Sequence, residues 1–217
     1  MADLDVARTL IRTISSWISI VPIVSGLWLW NKLSAAFRFI WMYCLLSLIV
    51  EQLLHYFAKN GINNMPFFHF FPVIEFALFV LFFKNELKGI VNTKFYYLLP
   101  LLFMLITIIN IIFFQSLFEL NSNTTSIESV VLVFLSLYAF YILVKNMSLT
   151  NHLFARLFWV SSGILIYFSG LLLFFILNNF FAENIFRLYT IGWIYHAFLN
   201  INLYVFLSIG LWKQQKI

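Results

Sequence analysis

Cysteine and charged residues are scarce in this chain of 217 residues, and both shortages exclude classes of protein. Cys44 is the only cysteine, so neither an intrachain disulfide nor a cysteine-based zinc module is possible. Charged residues make up 10% of the sequence, against about a quarter in soluble domains, and hydrophobic residues make up 63%. A single water-soluble core does not bury so much apolar surface. The long, continuous apolar runs predict an all-α, polytopic integral membrane protein and disfavour a β-barrel.

Several recognisable site motifs are also missing. The sequence has no glycine-rich phosphate loop, no Gly-x-Ser-x-Gly elbow and no His-Glu-x-x-His zinc motif. No lysine lies between residues 189 and 212, which excludes a retinal Schiff base like that of microbial rhodopsins from the last apolar segment. No cofactor is expected on these grounds. No small-residue cleavage pattern follows the first apolar run, so we expect no cleaved signal peptide.

Seven apolar segments predict a bundle of seven transmembrane helices. Each segment is close to the ~20 residues that cross ~30 Å of hydrocarbon, and no connection between them is long enough to fold as a domain. We therefore expect residues 1–217 to form one transmembrane domain without a soluble domain. The segments cover residues 13–30, 37–57, 66–83, 95–118, 126–144, 158–177 and 189–212.

The basic residues predict the orientation of the bundle. Cytoplasmic loops carry an excess of Lys and Arg, so the side with nine of them is predicted to be cytoplasmic and the side with four to be outside. This places the N-terminus outside and the C-terminus in the cytoplasm of a plasma or inner membrane. It also accounts for the net charge of +5 without a nucleic-acid partner. The outer set is Arg8, Arg12, Lys59 and Arg187, and the inner set is Lys32, Arg38, Lys84, Lys88, Lys94, Lys145, Arg156, Lys213 and Lys216.

Ionisable side chains concentrate around the connection between the second and third segments. His55 and His69 lie at matching distances from its middle, with Glu51 and Glu75 further into the two segments. An antiparallel helix pair therefore places two histidines at one depth and two carboxylates deeper. Glu51, Glu75 and His196 each lie about 12 Å below the outer surface, at 1.5 Å per residue. Ionisable groups inside a bilayer are costly and indicate a functional site by default.

Two segments carry polar stripes that we expect to face the bundle interior. Residues spaced by three and four share a helix face, and a polar face inside a membrane turns to protein or water. Hydrogen bonding between helices is the structural alternative for both stripes. The stripes are Cys44, Ser47, Glu51 and His55 on the second segment and His196, Asn200 and Tyr204 on the seventh.

The third segment is ambiguous because Pro72 lies between its two ionisable residues. His69 and Glu75 are six residues apart, about 240° around an ideal helix, and so do not share a face. A distortion at Pro72 would change that phase. The deeper Glu75 is expected to line the site, whereas His69 is either a ligand there or a residue near the start of the helix.

The fifth and sixth segments carry residues with structural explanations. Thr125 and Glu128 fit a capping box, in which Thr125 caps the helix and Glu128 reaches back to it. The functional alternative places Glu128 at the lip of the pocket. Gly163 and Gly170, at heptad spacing, predict close helix packing. Further candidates to line the pocket are Asn110, Gln115, Asn178 and Asn179.

Part of this pattern resembles the seven-helix hydrolases of the alkaline ceramidase and adiponectin-receptor superfamily. Those enzymes bind zinc through one histidine on helix 2 and a His-x-x-x-His pair on helix 7, with a serine before the first histidine and an aspartate on helix 3. Glu51-x-x-x-His55, Glu75 and His196-x-x-x-Asn200 are similar in spacing, with glutamate for serine, glutamate for aspartate and asparagine for the second histidine. The resemblance implies a zinc-dependent hydrolase of lipid amides or esters, in which Glu51 or Glu75 activates water. The implied metal ligands are His55, His69 and His196.

The leading hypothesis is a receptor or sensor module with an outward-facing polar pocket. It binds a small molecule, a lipid or a proton and signals through a cytoplasmic partner or a second copy of the chain, and a titratable Glu and His cluster suits such a switch. The zinc hydrolase is one alternative, and a small-solute or proton-coupled transporter using the same carboxylates is another. A haem held by two histidines is a further one. The predicted ligand-binding residues are Glu51, His55, Glu75, His196, Asn200 and Tyr204.

Overall fold

The computed structural model describes residues 2–89, 93–145, 151–182 and 186–214, with side chains described for 9–89, 94–145, 154–175 and 192–214. These residues fold into α-helices joined by short connections, without a β-strand. A short 3₁₀ helix, Trp30–Lys32, lies between α2 and α3. The α-helices are α1 (Ala2–Trp17), α2 (Ile20–Trp28), α3 (Ala35–Lys59), α4 (Met65–Glu86), α5 (Thr93–Phe113), α6 (Asn123–Lys145), α7 (Asn151–Ala182) and α8 (Phe186–Lys213).

Seven helical spans in this part of the chain are long and apolar enough to cross a membrane, which confirms the predicted number. The first span combines α1 and α2, and α3 to α8 supply one each. Capping explains two of the helix starts. Ser34 accepts a hydrogen bond from the Phe37 N–H at 3.4 Å and caps α3, and Pro66 occupies the first turn of α4.

The first span is two helices rather than the single one predicted for residues 13–30. A turn at residues 18 and 19 separates α1 from α2. The reason is Pro22, which has no N–H to donate to the Ile18 carbonyl. That carbonyl accepts a hydrogen bond from the Val21 N–H at 3.0 Å instead. Pro22 therefore lies in the first turn of α2, where a missing donor is tolerated.

Five helices surround the interior in the order α3, α4, α6, α7 and α8. The first span fills the gap between α3 and α8, since α2 packs against both helices and α1 packs chiefly against α8. α5 packs on α4 and α6 from outside this ring. The site described below is consequently framed by α3, α4, α7 and α8.

α7 and α8 form the most extensive helix contact, and glycines permit their close approach. A Cβ atom at Gly163 would lie 2.7 Å from the Phe206 Cβ atom, and one at Gly170 would lie 2.6 Å from the Leu199 Cδ1 atom. Both glycines therefore face α8, which confirms the packing predicted from their spacing.

The half of the bundle remote from the α3–α4 connection is filled by aromatic side chains. Phe37, Phe79, Phe82 and Phe83 are fully buried there, and Phe168 is fully buried beside them near the middle of α7. Phe37 and Phe82 pack edge to face with ring centroids 5.6 Å apart, and Phe79 and Phe168 do so at 5.8 Å. These side chains leave the bundle closed at this end.

A buried ion pair joins α4 to α7 at the same end. The Arg156 Nε atom lies 3.0 Å from the Glu86 Oε2 atom. The Glu86 side chain is 2% exposed and that of Arg156 is 13% exposed. The pair therefore fixes the end of α4 against the first turns of α7.

Amide side chains hold the connection between α5 and α6. α5 ends at Phe113, whereas the sequence predicts a helix through residue 118. The Gln115 side chain donates to the Leu120 backbone carbonyl at 2.8 Å and to the Ser122 hydroxyl at 3.1 Å. The Asn110 Nδ2 atom donates to the Gln115 side-chain Oε1 atom at 3.3 Å. Asn110 and Gln115 therefore stabilise this connection and do not line the pocket, contrary to the prediction.

Candidate functional site

A cavity of about 110 Å³, the chamber, lies in the half of the bundle nearer the α3–α4 connection. Side chains of α3, α4, α7 and α8 form most of its wall, with one residue from α6. Its polar lining is Tyr43, Ser47, Glu51, Glu75, Thr125, Tyr167, His196 and Asn200. Its aromatic lining, the aromatic wall, is Phe67, Phe68, Phe71, Phe174, Phe175 and Trp193.

The chamber brings together four of the six predicted ligand-binding residues. Glu51 comes from α3, Glu75 from α4, and His196 and Asn200 from α8. Glu51, Glu75 and His196, which were predicted to lie at equal depth on three separate segments, therefore line the same cavity. The prediction that His69 and Glu75 lie on different faces of their helix also holds, because Glu75 lines the chamber and His69 does not.

Tyr204 lies behind the chamber rather than in its lining, and tyrosine contacts link it to Glu75. The Tyr204 and Ser47 hydroxyl groups are hydrogen-bonded to each other. The Tyr204 ring stacks on Tyr43, with centroids 6.1 Å apart and planes 14° apart. Tyr43 in turn lies within electrostatic range of Glu75. Tyr204 therefore contacts two residues of the chamber lining, Ser47 and Tyr43, without lining the chamber itself.

Aromatic rings surround the His196 imidazole. The ring centroids of Phe174 and Trp193 each lie 5.7 Å from it, and that of Tyr167 lies 6.1 Å away. The Tyr167 hydroxyl is 3.5 Å from the His196 Nε2 atom. These neighbours orient the imidazole at the boundary between α7 and α8.

A wider cavity of about 430 Å³, the vestibule, adjoins the chamber and shares Glu51, His196 and Asn200 with it. His55 lines the vestibule only, and its Nε2 atom lies 3.3 Å from the Glu51 Oε1 atom. The His55 and Glu51 side chains are 59% and 38% exposed, so this pair is open to solvent. Arg12 of α1 also lines the vestibule. The predicted second-segment stripe thus leads from the vestibule into the chamber.

Polar contacts tie α1 to the rim of the vestibule. The Asn200 Nδ2 atom donates to the Ser15 hydroxyl at 3.0 Å. The Gln52 Nε2 atom donates to the Ser16 carbonyl at 3.3 Å. Asn200 therefore combines a place in the chamber lining with a structural contact to α1.

His69 is placed away from the chamber, which argues against its use as a metal ligand. Its Nε2 atom lies 3.0 Å from the Glu119 carbonyl oxygen in the α5–α6 connection and therefore donates to it. The side chain is fully buried, so His69 fastens α4 to that connection. Among the residues whose side chains are described, no three His, Cys, Asp or Glu side chains are grouped to hold a metal ion. The donor set of His55, His69 and His196 implied for zinc therefore does not fit this arrangement.

Glu128 does not form the capping box predicted with Thr125. α6 begins at Asn123, so Thr125 is already inside the helix, and its hydroxyl donates to the Asn121 carbonyl at 2.8 Å. Glu128 is fully buried, and neither carboxyl oxygen has a hydrogen-bond partner. Its carboxyl group lies within electrostatic range of Glu75. A residue predicted to be a cap is therefore a buried acid behind the chamber.

Sequence reasoning missed two tyrosines of the chamber. Tyr43 lies one turn before Ser47, so extending the second-segment stripe by four residues would have found it. Tyr167 faces the chamber from α7 without a polar stripe to mark it, and it lies within electrostatic range of Glu51, Glu75 and Glu128. The side chains of Asn178 and Asn179 lie outside the described residues.

The chamber combines acidic groups, tyrosine hydroxyls, one imidazole and aromatic faces in a confined volume. Hydroxyl and carboxyl oxygens can accept hydrogen bonds from a ligand, and ionised carboxylates and aromatic rings can attract a cation. It contains no metal cluster among the described side chains. Comparisons with protein-family models, curated proteins and solved structures give no match to the chain.

Proposed function

We propose that the chain is a multi-pass membrane receptor or sensor module that binds a small molecule in the chamber. The observation that carries the proposal is that Glu51, Glu75 and His196 line one confined cavity. Confined cavities with a few convergent polar groups and an aromatic lining are the usual form of a small-molecule site. The chamber is expected to face outside, because the Lys and Arg excess lies at the other end of the bundle.

The closed opposite end supports a binding module over an open pore. The vestibule adjoins the chamber on one side, whereas Phe37, Phe79 and Phe82 are fully buried in the other half of the bundle. A ligand that enters from the vestibule therefore meets a packed core. A transporter would need that core to open, which uptake by reconstituted vesicles would reveal.

Two helices offer a route from the chamber to a cytoplasmic partner. Glu75 and Glu86 are eleven residues apart on α4, and Arg156 and Tyr167 are eleven apart on α7. At 1.5 Å per residue each separation is about 16 Å. α4 and α7 thus each contribute to the chamber at one point and to the Glu86–Arg156 ion pair at the other. A ligand that shifts Glu75 against Tyr167 would act on this pair, which lies at the end of the bundle predicted to be cytoplasmic.

Thiol labelling tests the sidedness and openness of the site. Leu54 lines both the chamber and the vestibule, so Leu54→Cys in intact cells should react with a membrane-impermeant maleimide. The wild-type chain is the matched control, because its only cysteine, Cys44, is fully buried. Labelling only after the cells are broken would contradict the outward orientation, and no labelling in either case would contradict an open site.

Ligand-dependent stabilisation tests binding. Thermal unfolding of the purified chain would be measured against a panel of small cationic, neutral and anionic compounds, since a ligand of the folded state raises its stability. We expect at least one class to stabilise the wild type and to lose that effect in Glu51→Gln and His196→Ala. Glu119→Gln, an exposed carboxylate in the α5–α6 connection, is the matched control. Equal stabilisation of all variants, or of none, would refute the proposal.

A further inference from the structure

We infer that the chamber takes a small organic ammonium group, either a primary amine or a methylated ammonium. This inference rests on the proposed function of the chamber as a binding site. It goes further by naming the charge and the chemical class of the ligand. Three features of the chamber carry it: the charge of its lining, the aromatic wall and its size.

Apart from the His196 imidazole, the ionisable groups that line the chamber become negative when they ionise. Glu51 and Glu75 contribute two carboxyl groups to the lining, and the described residues that line the chamber include no lysine or arginine. Arg12 and His55 lie in the vestibule instead. Ionised Glu51 and Glu75 would therefore repel an anionic ligand and attract a cationic one.

Glu128 is a third acidic side chain near the chamber, and it has no hydrogen-bond partner. It is fully buried within electrostatic range of Glu75, and neither of its carboxyl oxygens has a hydrogen-bond partner. An ionised carboxylate buried without a partner is very costly, so such a group carries a proton or lies close to a cation. A cation bound at Glu75 would supply the positive charge that the described residues around Glu128 do not.

The aromatic wall distinguishes an organic ammonium group from a metal ion. Ammonium groups are attracted to the faces of aromatic rings within about 6 Å, and cages of such rings are a known means of binding methylated ammonium. Hard metal ions instead need six or more oxygen ligands for Ca²⁺, or near-octahedral oxygen geometry for Mg²⁺. The chamber presents six aromatic side chains of the aromatic wall and two tyrosines beside its two carboxyl groups. The excess of aromatic rings over carboxyl groups favours an organic cation over a metal ion.

Size limits the ligand further. The chamber measures about 110 Å³. A cavity of about 150 Å³ accommodates benzene, so the chamber has room for one group somewhat smaller than benzene, such as a small ammonium group. A sugar ring or an acyl chain would have to extend into the vestibule. The ammonium group therefore belongs either to a small free amine or to a lipid headgroup that enters through the vestibule.

Calorimetry on the full chain in phosphatidylglycerol nanodiscs tests the ligand class. The probes are propylammonium and tetramethylammonium, and the size-matched controls are propanol and propionate. We expect only the two cations to bind. Glu75→Gln should weaken them about tenfold or more, since hydrogen bonds to charged groups are the strong ones. Phe174→Leu, which keeps the site apolar but removes a ring, should weaken them several-fold, and Glu119→Gln should leave them unchanged.

Exchange of the nanodisc lipid identifies the source of the ammonium group. With phosphatidylethanolamine in place of phosphatidylglycerol, a headgroup in the chamber would compete, and the probes would bind at least tenfold more weakly. Unchanged affinity would assign the site to a free amine. Either result supports the ammonium assignment.

The failures of the two proposals are distinguishable. Tighter binding of propanol or propionate than of the cations, or cation affinity unchanged by both Glu75→Gln and Phe174→Leu, would overturn the ammonium assignment and leave the chamber a binding site. Absence of binding by every probe class, together with an unlabelled Leu54→Cys, would overturn the proposed function itself. Thermal unfolding of each variant shows whether a loss of binding reflects a loss of fold.

Discussion

Removing one partner of the Glu86–Arg156 ion pair should destabilise the bundle far more than removing one partner of the Glu51–His55 pair. The two pairs have similar geometry, with nitrogen and oxygen atoms 3.0 Å and 3.3 Å apart. They differ in burial. Glu86 and Arg156 are 2% and 13% exposed, whereas Glu51 and His55 are 38% and 59% exposed.

Burial sets the expected magnitudes. Breaking a buried pair leaves a charge without a partner and costs about 3–5 kcal/mol, so Glu86→Gln should lower the free energy of unfolding by about that amount. An exposed pair contributes about 0–1 kcal/mol, so Glu51→Gln should cost less than ~1 kcal/mol. The double variant Glu86→Leu with Arg156→Leu should cost less than the sum of its two single variants, because it leaves no unpaired charge.

Equilibrium unfolding in mixed micelles of increasing denaturing detergent, followed by tryptophan fluorescence, measures these free energies. The wild type, the three single variants at residues 86 and 156, the double variant and Glu51→Gln form one set. The reasoning would be refuted if Glu86→Gln cost no more than Glu51→Gln, or if the two leucine substitutions were additive. A small cost for Glu51→Gln would also show that its loss of ligand response, if observed, does not come from unfolding.

Two further predictions concern packing and the α5–α6 connection. Gly163→Ala should destabilise the bundle by about 1–3 kcal/mol because the new Cβ atom meets the Phe206 Cβ atom. Ser169→Ala, at an exposed position on the same helix, is the control and should have little effect. Thermal unfolding measures both, and equal effects would contradict the packing argument. His69→Ala should remove the hydrogen bond to the Glu119 carbonyl and increase amide hydrogen exchange in residues 114–122 without weakening ligand binding. Weakened binding with unchanged exchange would instead indicate that His69 belongs to the site.

The helical architecture was predictable because its signal is local. Runs of about 20 apolar residues are required by the thickness of the bilayer and can be counted in the sequence. The exceptions have local causes that are harder to weigh. The break before Pro22 depends on one absent N–H, and the end of α5 at Phe113 depends on amide contacts formed by Gln115 in the folded chain.

The chamber was predictable in part because depth along a helix follows from residue counting. Glu51, Glu75 and His196 meet because they lie at equal distances from one end of the bundle. Which side of its helix a residue faces was predictable only where a polar stripe or another polar residue on the same helix indicated it. On α4 the predicted separation of about 240° between His69 and Glu75 applies because the helix continues through Pro72.

Glu128 and His69 show why the rest was not predictable. Thr125-Ser126-Ile127-Glu128 has the sequence of a capping box, but α6 begins at Asn123, three residues before the predicted start at residue 126. Next to this start, the Asn121 side chain accepts a hydrogen bond from the Thr124 hydroxyl. His69 finds its partner on a connection 50 residues away in the sequence. Tyr167 has no polar neighbour along its own helix face to reveal it. Such assignments depend on tertiary contacts that no single segment encodes.

The ion pair between Glu86 and Arg156 also bears on the order in which the bundle assembles. The two residues are 70 positions apart, and α5 and α6 lie between them in the chain. During synthesis Glu86 is therefore made well before its partner and is best kept in water at the membrane border, since burial without a partner is costly. Docking of α7 then neutralises the charge and closes the end of the bundle in a single step. A chain truncated after α6 should accordingly leave α4 undocked at its Glu86 end.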